Sequence, residues 1–162
     1  MIKKFLFFCG ICVFPEYAAD IAKKIAKRPC KVKLLWLKFL KKRLYARYGL
    51  EIDSPNIGER FVMGHPFNIT INPRSVIGDD CVVFKNATIG SVRSGKRSGV
   101  PVLGNKVVVG CNAFICGGIH IGNDVLIAAN SFVDFDVPDH SLVIGNPAVI
   151  HYKENATKDY IK

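Results

Sequence analysis

Four histidines are the groups in this chain best suited to moving a proton near neutral pH. A positioned imidazole can act as a general base on a hydroxyl, which accelerates a reaction by about 10²- to 10⁴-fold. His65 stands in the segment GHPF, at a corner of the repeat described below, where a side chain can point outward. His120 takes a turn position, His140 lies in the segment VPDHSL, and His151 follows the repeat. This spacing does not supply the three histidines of a zinc site, so we expect no metal.

The six cysteines offer thiols without an obvious site. Cys9 and Cys12 form a single CxxC pair, with no second pair and no nearby histidine. A redox or metal role is one interpretation, and two buried thiols in an apolar helix are the favoured one. Cys81 falls at an inward-facing position of the repeat. Because the spacing is not that of a secreted disulfide scaffold, we predict a cytoplasmic protein with reduced thiols.

Aliphatic side chains recur every six residues through the middle of the chain. An α-helix repeats at about 3.6 residues and a strand at 2, so the period fits neither alone. A short strand followed by a tight corner, repeated, does fit it. The main set comprises Ile71, Ile77, Val83, Ile89, Leu103, Val109, Ile115, Ile121, Ile127 and Val133, and a set two residues out of phase comprises Ile57, Met63 and Ile69.

The other positions of each hexad suit tight corners and a narrow interior. Glycine often follows the aliphatic residue, and Asn, Asp or Gly often comes two positions later, where left-handed backbone is tolerated. Three hexads would form one triangular coil of a parallel β-helix, each coil burying the face of the next. The fifth positions hold small or aliphatic residues, namely Ser75, Cys81, Ala87, Val107, Ala113, Ile119, Val125 and Ser131.

Three segments of the chain resemble the hexapeptide-repeat acyltransferase family, in its serine acetyltransferase-like branch. They are GHPFNITINPRSVIGDDCVVFKNATIG, PVLGNKVVVGCNAFICGGIHIGNDVLIAANSFV and VPDHSLVIGNPA. The resemblance covers roughly residues 49–150, and length and layout are most similar to the colanic acid biosynthesis acetyltransferase and capsule O-acetyltransferases. It implies a mainly β fold, a left-handed parallel β-helix, preceded here by a short α-helical segment. The left hand comes from the resemblance alone, because parallel crossovers are normally right-handed.

The resemblance also implies an acetyl-CoA-dependent O-acetyltransferase that works as a homotrimer, without a covalent enzyme intermediate. His65 matches the catalytic base of the family. Glu51, in GLEI, matches the carboxylate that orients this base if one residue is deleted between Asp53 and Ile57. Acetyl-CoA would lie in a groove between two subunits. The positions carried over to its pantetheine arm are Gly90, Ser91, Cys111 and Ala129.

A basic insert interrupts the repeat after Ile89, where eight residues are extra. The insert SVRSGKRSGVPV, residues 91–102, is polar and contains glycine, so we expect an exposed loop of the kind that often carries function. Arg93, Lys96 and Arg97 could bind a phosphate of CoA or of the acceptor, and a solvated loop is the equal alternative.

Three positions depart from the serine acetyltransferase pattern. That pattern has Asp before the catalytic histidine and an Arg-His pair before the loop proline, where this chain has Gly64, Gly99 and Val100. The groups that would bind the charges of serine are therefore missing. We expect the acceptor to be a sugar hydroxyl in a surface polysaccharide or its lipid-linked precursor. Serine acetyltransferase, a xenobiotic acetyltransferase and a non-catalytic β-helix scaffold are the alternatives.

The first 50 residues carry 13 Lys and Arg against 2 Asp and Glu, in a chain of net charge +10. We predict helices over 16–27 and 31–48, separated by Pro29 and closed by Gly49. One interpretation is that the second helix caps the open base of the β-helix, and a compatible one is peripheral contact with an anionic inner membrane face. The capping side chains would be Leu34, Trp36, Leu37, Leu40 and Leu44.

The ends of the chain complete a predicted division into residues 1–50, 51–150 and 151–162. MIKKFLFFCGICVF has the outline of a signal peptide, but we expect no cleavage, because acetyl-CoA is cytosolic. Its apolar run is also short for a membrane span. The polar residues 151–162 are expected to form a short frayed helix or coil. No nucleic-acid-binding motif accompanies the basic segment, so no nucleic acid partner is expected.

Overall fold

The computed structural model describes residues 18–27 and 29–161. The signal-like stretch, the Cys9–Cys12 pair and the first two residues of the helix predicted over 16–27 lie outside this part of the chain. Within it, no helix is both long enough and apolar enough to cross a membrane.

Two helices precede the sheets. Helix α1 spans Ala18–Ala26 and helix α2 spans Lys31–Tyr48, so the chain breaks between them as the sequence predicts. Helix α2 ends at Gly49, whose φ of 62° is left-handed and whose N–H donates to the Tyr45 carbonyl at 3.0 Å. Glycine adopts this conformation at little cost. Leu34 and Trp36 are half-buried, and the buried inner face of α2 consists of Leu37, Leu40 and Leu44.

Short strands stack into three sheets after α2. The strands are β1 (Glu51–Ile52), β2 (Val62–Gly64), β3 (Thr70–Ile71), β4 (Val76–Ile77), β5 (Val82–Phe84), β6 (Thr88–Gly90), β7 (Val102–Leu103), β8 (Val107–Val109), β9 (Phe114–Cys116), β10 (His120–Ile121), β11 (Val125–Ile127), β12 (Phe132–Val133), β13 (Ser141–Gly145) and β14 (Ala148–Tyr152). The first sheet has the order β1-β3-β6-β9-β12, the second β10-β7-β4 and the third β14-β13-β11-β8-β5-β2. Among the described residues, every strand pair is parallel except β13–β14, which closes the far end.

The predicted hexads become the columns of these sheets, and the fold is the predicted left-handed parallel β-helix. In the first sheet, Ile71 and Ile89 lie 18 residues apart, as do Ile115 and Val133, and Ile89 and Ile115 lie 26 apart because residues 91–102 intervene. The predicted fifth-position residues are all buried, at 0 to 2% exposure. Ile69, which the sequence places in the out-of-phase aliphatic set, is also buried. It lies in register with Ala87, so it takes a fifth position of the repeat.

The residues that run out of phase mark an enlarged corner. Met63 pairs with Val83 in the third sheet, and Ile71 pairs with Ile89 in the first. Eight residues separate Met63 from Ile71, whereas six separate Val83 from Ile89 in the next coil. The corner that contains His65 is therefore two residues longer than the corner stacked on it, and the extra chain must bulge outward.

Candidate active site

Three predicted site residues share the corner between the third and first sheets. Successive coils stack at this corner as levels, and we call the stack the His65 corner. His65 lies on its first level, Cys111 on the third and Ala129 on the fourth. Coils of a β-helix are about 4.8 Å apart, so His65 lies roughly 10 Å from Cys111 along it. Backbone hydrogen bonds join the levels, from Lys85 N–H to Gly64 O (3.1 Å), Asn112 N–H to Lys85 O (3.2 Å) and Asn130 N–H to Cys111 O (2.9 Å).

His65 stands on the outside of this corner. It and Asn68 have positive φ angles of 54° and 52°, which turn the chain sharply at both ends of the bulge. The His65 residue is exposed. Within 18–27 and 29–161, no hydrogen bond or ion pair engages its imidazole. An open imidazole on a protruding corner can reach the hydroxyl of a bound molecule.

Glu51 begins β1, one coil below β3, and is exposed. In the described part of the chain it makes no hydrogen bond to His65. Asp53 is already engaged, because the Tyr45 hydroxyl donates to it at 2.5 Å and Lys41 forms an ion pair with it. Of Glu51 and Asp53, Glu51 is the more exposed, and its role as partner of His65 stays a prediction.

A largely apolar groove of about 270 Å³ runs beside the upper levels of the His65 corner. Cys111 and Ala129, two of the predicted pantetheine positions, both line it. Gly110 is required there, because a Cβ atom would come within 2.6 Å of the Ala129 nitrogen. The remaining lining residues are Phe84, Val108, Leu126, Ile127, Ala128 and Tyr160.

Gly90 and Ser91 lie at the opposite edge of the first sheet. Gly90 ends β6 and pairs with Cys116, which ends β9, whereas Cys111 precedes β9. A single chain therefore does not bring these two pantetheine positions to Cys111 and Ala129, because the width of the sheet separates the pairs.

The loop after Ser91 folds back on itself. Val92 and Gly99 exchange backbone hydrogen bonds of 3.1 and 2.9 Å. Arg93, Lys96 and Arg97 are exposed, whereas Pro101 is buried and Val102 begins β7, and a binding role for the three cations stays a prediction. Its cations stand on the same edge of the first sheet as Gly90, and they are available to an anionic ligand there.

Known proteins resemble this chain in both sequence and structure. No protein-family model matches it. It is 35% identical over 114 residues to the serine acetyltransferase of Synechococcus elongatus, covering 68% of this chain and 46% of the relative. It is 39% identical over 102 residues to the colanic acid biosynthesis acetyltransferase WcaB of Escherichia coli K12, covering 62% of each. The chain belongs to the hexapeptide-repeat acyltransferase family.

A solved structure supports the same family. The serine acetyltransferase of Neisseria gonorrhoeae in complex with serine superposes with a TM-score of 0.70 at 27% identity, covering 83% of this chain and 54% of that chain. The chain spans about half the length of the serine acetyltransferases it matches, and 62% of WcaB. The predicted family and fold are confirmed.

Gly64, which stands where the resemblance implies Asp in serine acetyltransferases, lies directly against the ring of Phe84. A Cβ atom at Gly64 would lie 2.4 Å from Cδ1 of Phe84, the residue paired with it in the next coil. At Gly99, a Cβ atom would likewise lie 2.8 Å from the Gly118 Cα. The ring of Phe84 therefore lies over the residue that precedes His65.

A buried carboxylate missed by the sequence analysis anchors the tail. Asp124 accepts hydrogen bonds from the N–H groups of Ala156 and Thr157, each at 3.1 Å, and from the Thr157 hydroxyl at 2.7 Å. Its Oδ2 lies 2.9 Å from His140 Nδ1. Burial raises the pKa of Asp124, but hydrogen bonds from His140 and Thr157 outweigh this and lower the pKa to about 2. In the sequence, Asn123-Asp124 indicated only a turn.

The tail is correspondingly more ordered than predicted. Strand β14 continues to Tyr152, so His151 is a strand residue and not the start of a frayed tail. Beyond Asp124, Tyr160 packs edge-to-face on Phe84, with 6.1 Å between ring centroids. Hydrogen bonds and this ring contact therefore hold residues that were predicted to be frayed. The prediction was wrong because the sequence does not show what these residues pack against.

The other histidine and cysteine candidates have structural surroundings. His120 Nδ1 lies 3.9 Å from Asp136 at the surface. Cys81 is buried as predicted, and burial raises the pKa of its thiol to about 11. Burial also raises the pKa of Cys116. A raised pKa disfavours the reactive thiolate, and the described cysteines are all free.

Proposed function

We propose that this chain transfers the acetyl group of acetyl-CoA to a hydroxyl of a sugar, in a surface polysaccharide or in its precursor. The observation that carries the proposal is the His65 corner, where an exposed imidazole and the Cys111–Ala129 groove share one column. An apolar groove edged by backbone groups suits the pantetheine arm of CoA. An outward imidazole two coils below Cys111 in the same column suits a general base.

The chemistry needs one proton acceptor. The acceptor oxygen attacks the thioester carbonyl while His65 takes the proton of the hydroxyl. The tetrahedral intermediate then collapses, the C–S bond breaks, and the CoA sulfur leaves and takes that proton from the imidazolium. Glu51 would fix the histidine tautomer and stabilise the imidazolium. No protein nucleophile takes part.

A sugar is favoured over serine because the charged groups expected around serine are missing. Gly64, Gly99 and Val100 stand where the serine acetyltransferase pattern has Asp, Arg and His, and an unpaired zwitterion binds poorly. The similarity to WcaB, named for colanic acid biosynthesis, supports the same acceptor class. The similarity to serine acetyltransferases keeps serine as the second candidate.

The acetyl-CoA site would be completed by a second subunit. Cys111 and Ala129 line the groove at the His65 corner, while Gly90 and Ser91 lie across the first sheet with Arg93 and Lys96. A homotrimer could bring the basic loop of one subunit to the groove of the next, where its cations would bind CoA phosphates. Analytical ultracentrifugation tests this, since we expect a particle three times the 17.9 kDa chain mass.

We further propose that the protein works in the cytoplasm, at the anionic inner face of the plasma membrane. Helix α2 supports the membrane location. Covering the base of the β-helix requires one apolar face, and α2 has a second apolar face. Its second face exposes Val32 (81%), Leu35 (73%) and Phe39 (54%), which fall on one stripe at helical spacing.

The charges of α2 fit the same location. The helix contains no Asp or Glu. At about 100° per residue, three lysines project along one flank of the exposed stripe. An apolar stripe beside cations is the pattern of a helix that lies in a lipid interface, where each basic residue contributes about 1 kcal/mol toward anionic lipid. The flanking residues are Lys31, Lys38 and Lys42.

The decisive experiment identifies the acetylated product. Purified protein and acetyl-CoA are incubated with a panel of sugar nucleotides and oligosaccharides, and separately with serine, and products are read by mass spectrometry. An acetylated sugar is expected, and acetylserine would replace our acceptor with the second candidate. A non-catalytic scaffold would give no product and no rise in melting temperature with acetyl-CoA, although a ligand at 100 times its Kd adds about 2.7 kcal/mol to stability.

A further inference from the structure

The outer face of the third sheet is covered over β5 and β8, although the outer face of a single-layered β-helix is ordinarily open to solvent. Side chains alternate along a strand, so Val82 of β5 and Val108 of β8 point outward. They are nevertheless only 8% and 0% exposed. Tyr160 supplies part of the cover, because it lines one cavity with Val108 and another with Val82.

Asp124 determines where Tyr160 stands. Its carboxylate holds the backbone of Ala156 and Thr157, both buried. The Tyr160 N–H then donates to the Thr157 carbonyl at 2.9 Å. These contacts place the Tyr160 ring against Phe84, on which it packs edge-to-face. Tyr160 remains about half exposed, so its other side is open to a ligand.

A hollow of about 410 Å³ opens between this tail and the lower part of the third sheet. We call it the tail hollow. Its floor is apolar, formed by Val62, Val82 and Phe84, and Tyr160 forms a wall. The volume falls within the range of about 300 to 1,000 Å³ that is usual for small-molecule sites.

The rim of the tail hollow is polar. Arg60 and Asp80 line it and form a two-point ion pair, with Nη2–Oδ2 at 2.7 Å. Gly64 also lines it, and the next residue in the chain is His65. The hollow therefore combines aromatic surface, a charged edge and closeness to the proposed general base.

We infer that the tail hollow binds the sugar ring that is acetylated, with Tyr160 as a specificity-determining wall. A sugar ring has apolar C–H faces and polar edges, which match an aromatic wall beside a charged rim. One of its hydroxyls would then lie next to His65. The inference rests on the proposed acetyl transfer and names the acceptor side of that same site.

Tyr160 also lines the Cys111–Ala129 groove, so a competing assignment gives it to the pantetheine arm. The two assignments differ in which Michaelis constant they predict will change. An acceptor wall acts on the KM of the sugar, whereas a donor wall acts on the KM of acetyl-CoA.

The test compares wild type, Tyr160→Ala, Tyr160→Phe and Tyr152→Ala. The acceptor is whichever sugar the wild type acetylates from a panel of UDP-sugars and methyl hexosides. Tyr152 is an exposed tyrosine that lines neither cavity, so Tyr152→Ala is the matched control. Thermal melting verifies that each variant is folded.

We expect Tyr160→Ala to raise the acceptor KM about tenfold and to raise the acetyl-CoA KM by less than that, since a well-placed ring is typically worth up to about tenfold in binding. Tyr160→Phe keeps the ring and should stay near wild type, as should Tyr152→Ala. An unchanged acceptor KM, or a rise in the acetyl-CoA KM alone, would overturn the inference while leaving the proposed activity intact. A wild type that acetylates no sugar would overturn both.

Discussion

The ring of Phe84 occupies the space that a side chain at position 64 would need, with only 2.4 Å between its Cδ1 and a Cβ built on Gly64. The two residues end paired strands in successive coils, so neither can change independently of the other. The surface next to His65 on this side is therefore aromatic. The acceptor proposed for this chain rests in part on the absence of an acidic side chain at position 64.

Gly64→Ala should destabilise the fold by displacing the Phe84 ring. Overpacking of this kind typically costs about 1 to 3 kcal/mol. Gly90→Ala is the matched stability control, because Gly90 also ends a strand and its added Cβ would meet nothing closer than 3.7 Å. Thermal or urea unfolding measures both variants. Equal stability of the two would show that Phe84 moves aside at no cost.

The local spacing of the sequence was enough to predict the columns of the sheets. A period of six recurs within a few residues, so Ile89, Ile115 and Val133 could be aligned without any knowledge of contacts. The stacking of Phe84 over Gly64 was not predictable in this way, because it depends on register across 20 residues and on the enlarged corner between them.

The hydrogen bonds from Ala156 and Thr157 to Asp124, which we call the tail clamp, were even less predictable from the sequence. Asp124 and Thr157 are 33 residues apart, and Asn123-Asp124 is equally typical of an ordinary corner. The catalytic assignments of His65 and Glu51 came from resemblance. The structure adds the exposure and position of His65 but no contact between the two side chains.

Asp124→Asn should weaken the attachment of the tail and make the free energy of unfolding less dependent on pH in the acid range. The folded pKa of Asp124, about 2, lies below the value of about 3.9 for an unfolded Asp, so its carboxylate stabilises the folded state above that unfolded value. This contribution is lost as the pH falls toward 2. Urea unfolding from pH 7 to pH 3 should therefore show the gap between wild type and variant narrowing below about pH 4. A difference in unfolding free energy that stays constant with pH would contradict the role of the Asp124 carboxylate in holding the tail.

Helix α2 should bind anionic vesicles through its exposed stripe. We expect wild type to sediment with phosphatidylcholine vesicles that contain phosphatidylserine, and not with pure phosphatidylcholine at moderate salt. Replacing Val32, Leu35 and Phe39 with Ser should abolish this binding. The control replaces two exposed residues at the far end of the solenoid, Ile144 and Val149, with Ser. Retained binding by the α2 variant would exclude this helix as the lipid surface.

The most direct test of the account is acetyl transfer by His65→Ala at saturating acetyl-CoA and sugar acceptor. Without the general base, kcat should fall by about 10²- to 10⁴-fold, while acetyl-CoA still raises the melting temperature as in wild type. Glu51→Gln should show a smaller loss of kcat, because it affects only the orientation and charge of the imidazole. Wild-type turnover by a folded His65→Ala protein would contradict the central claim that the His65 corner is the catalytic site.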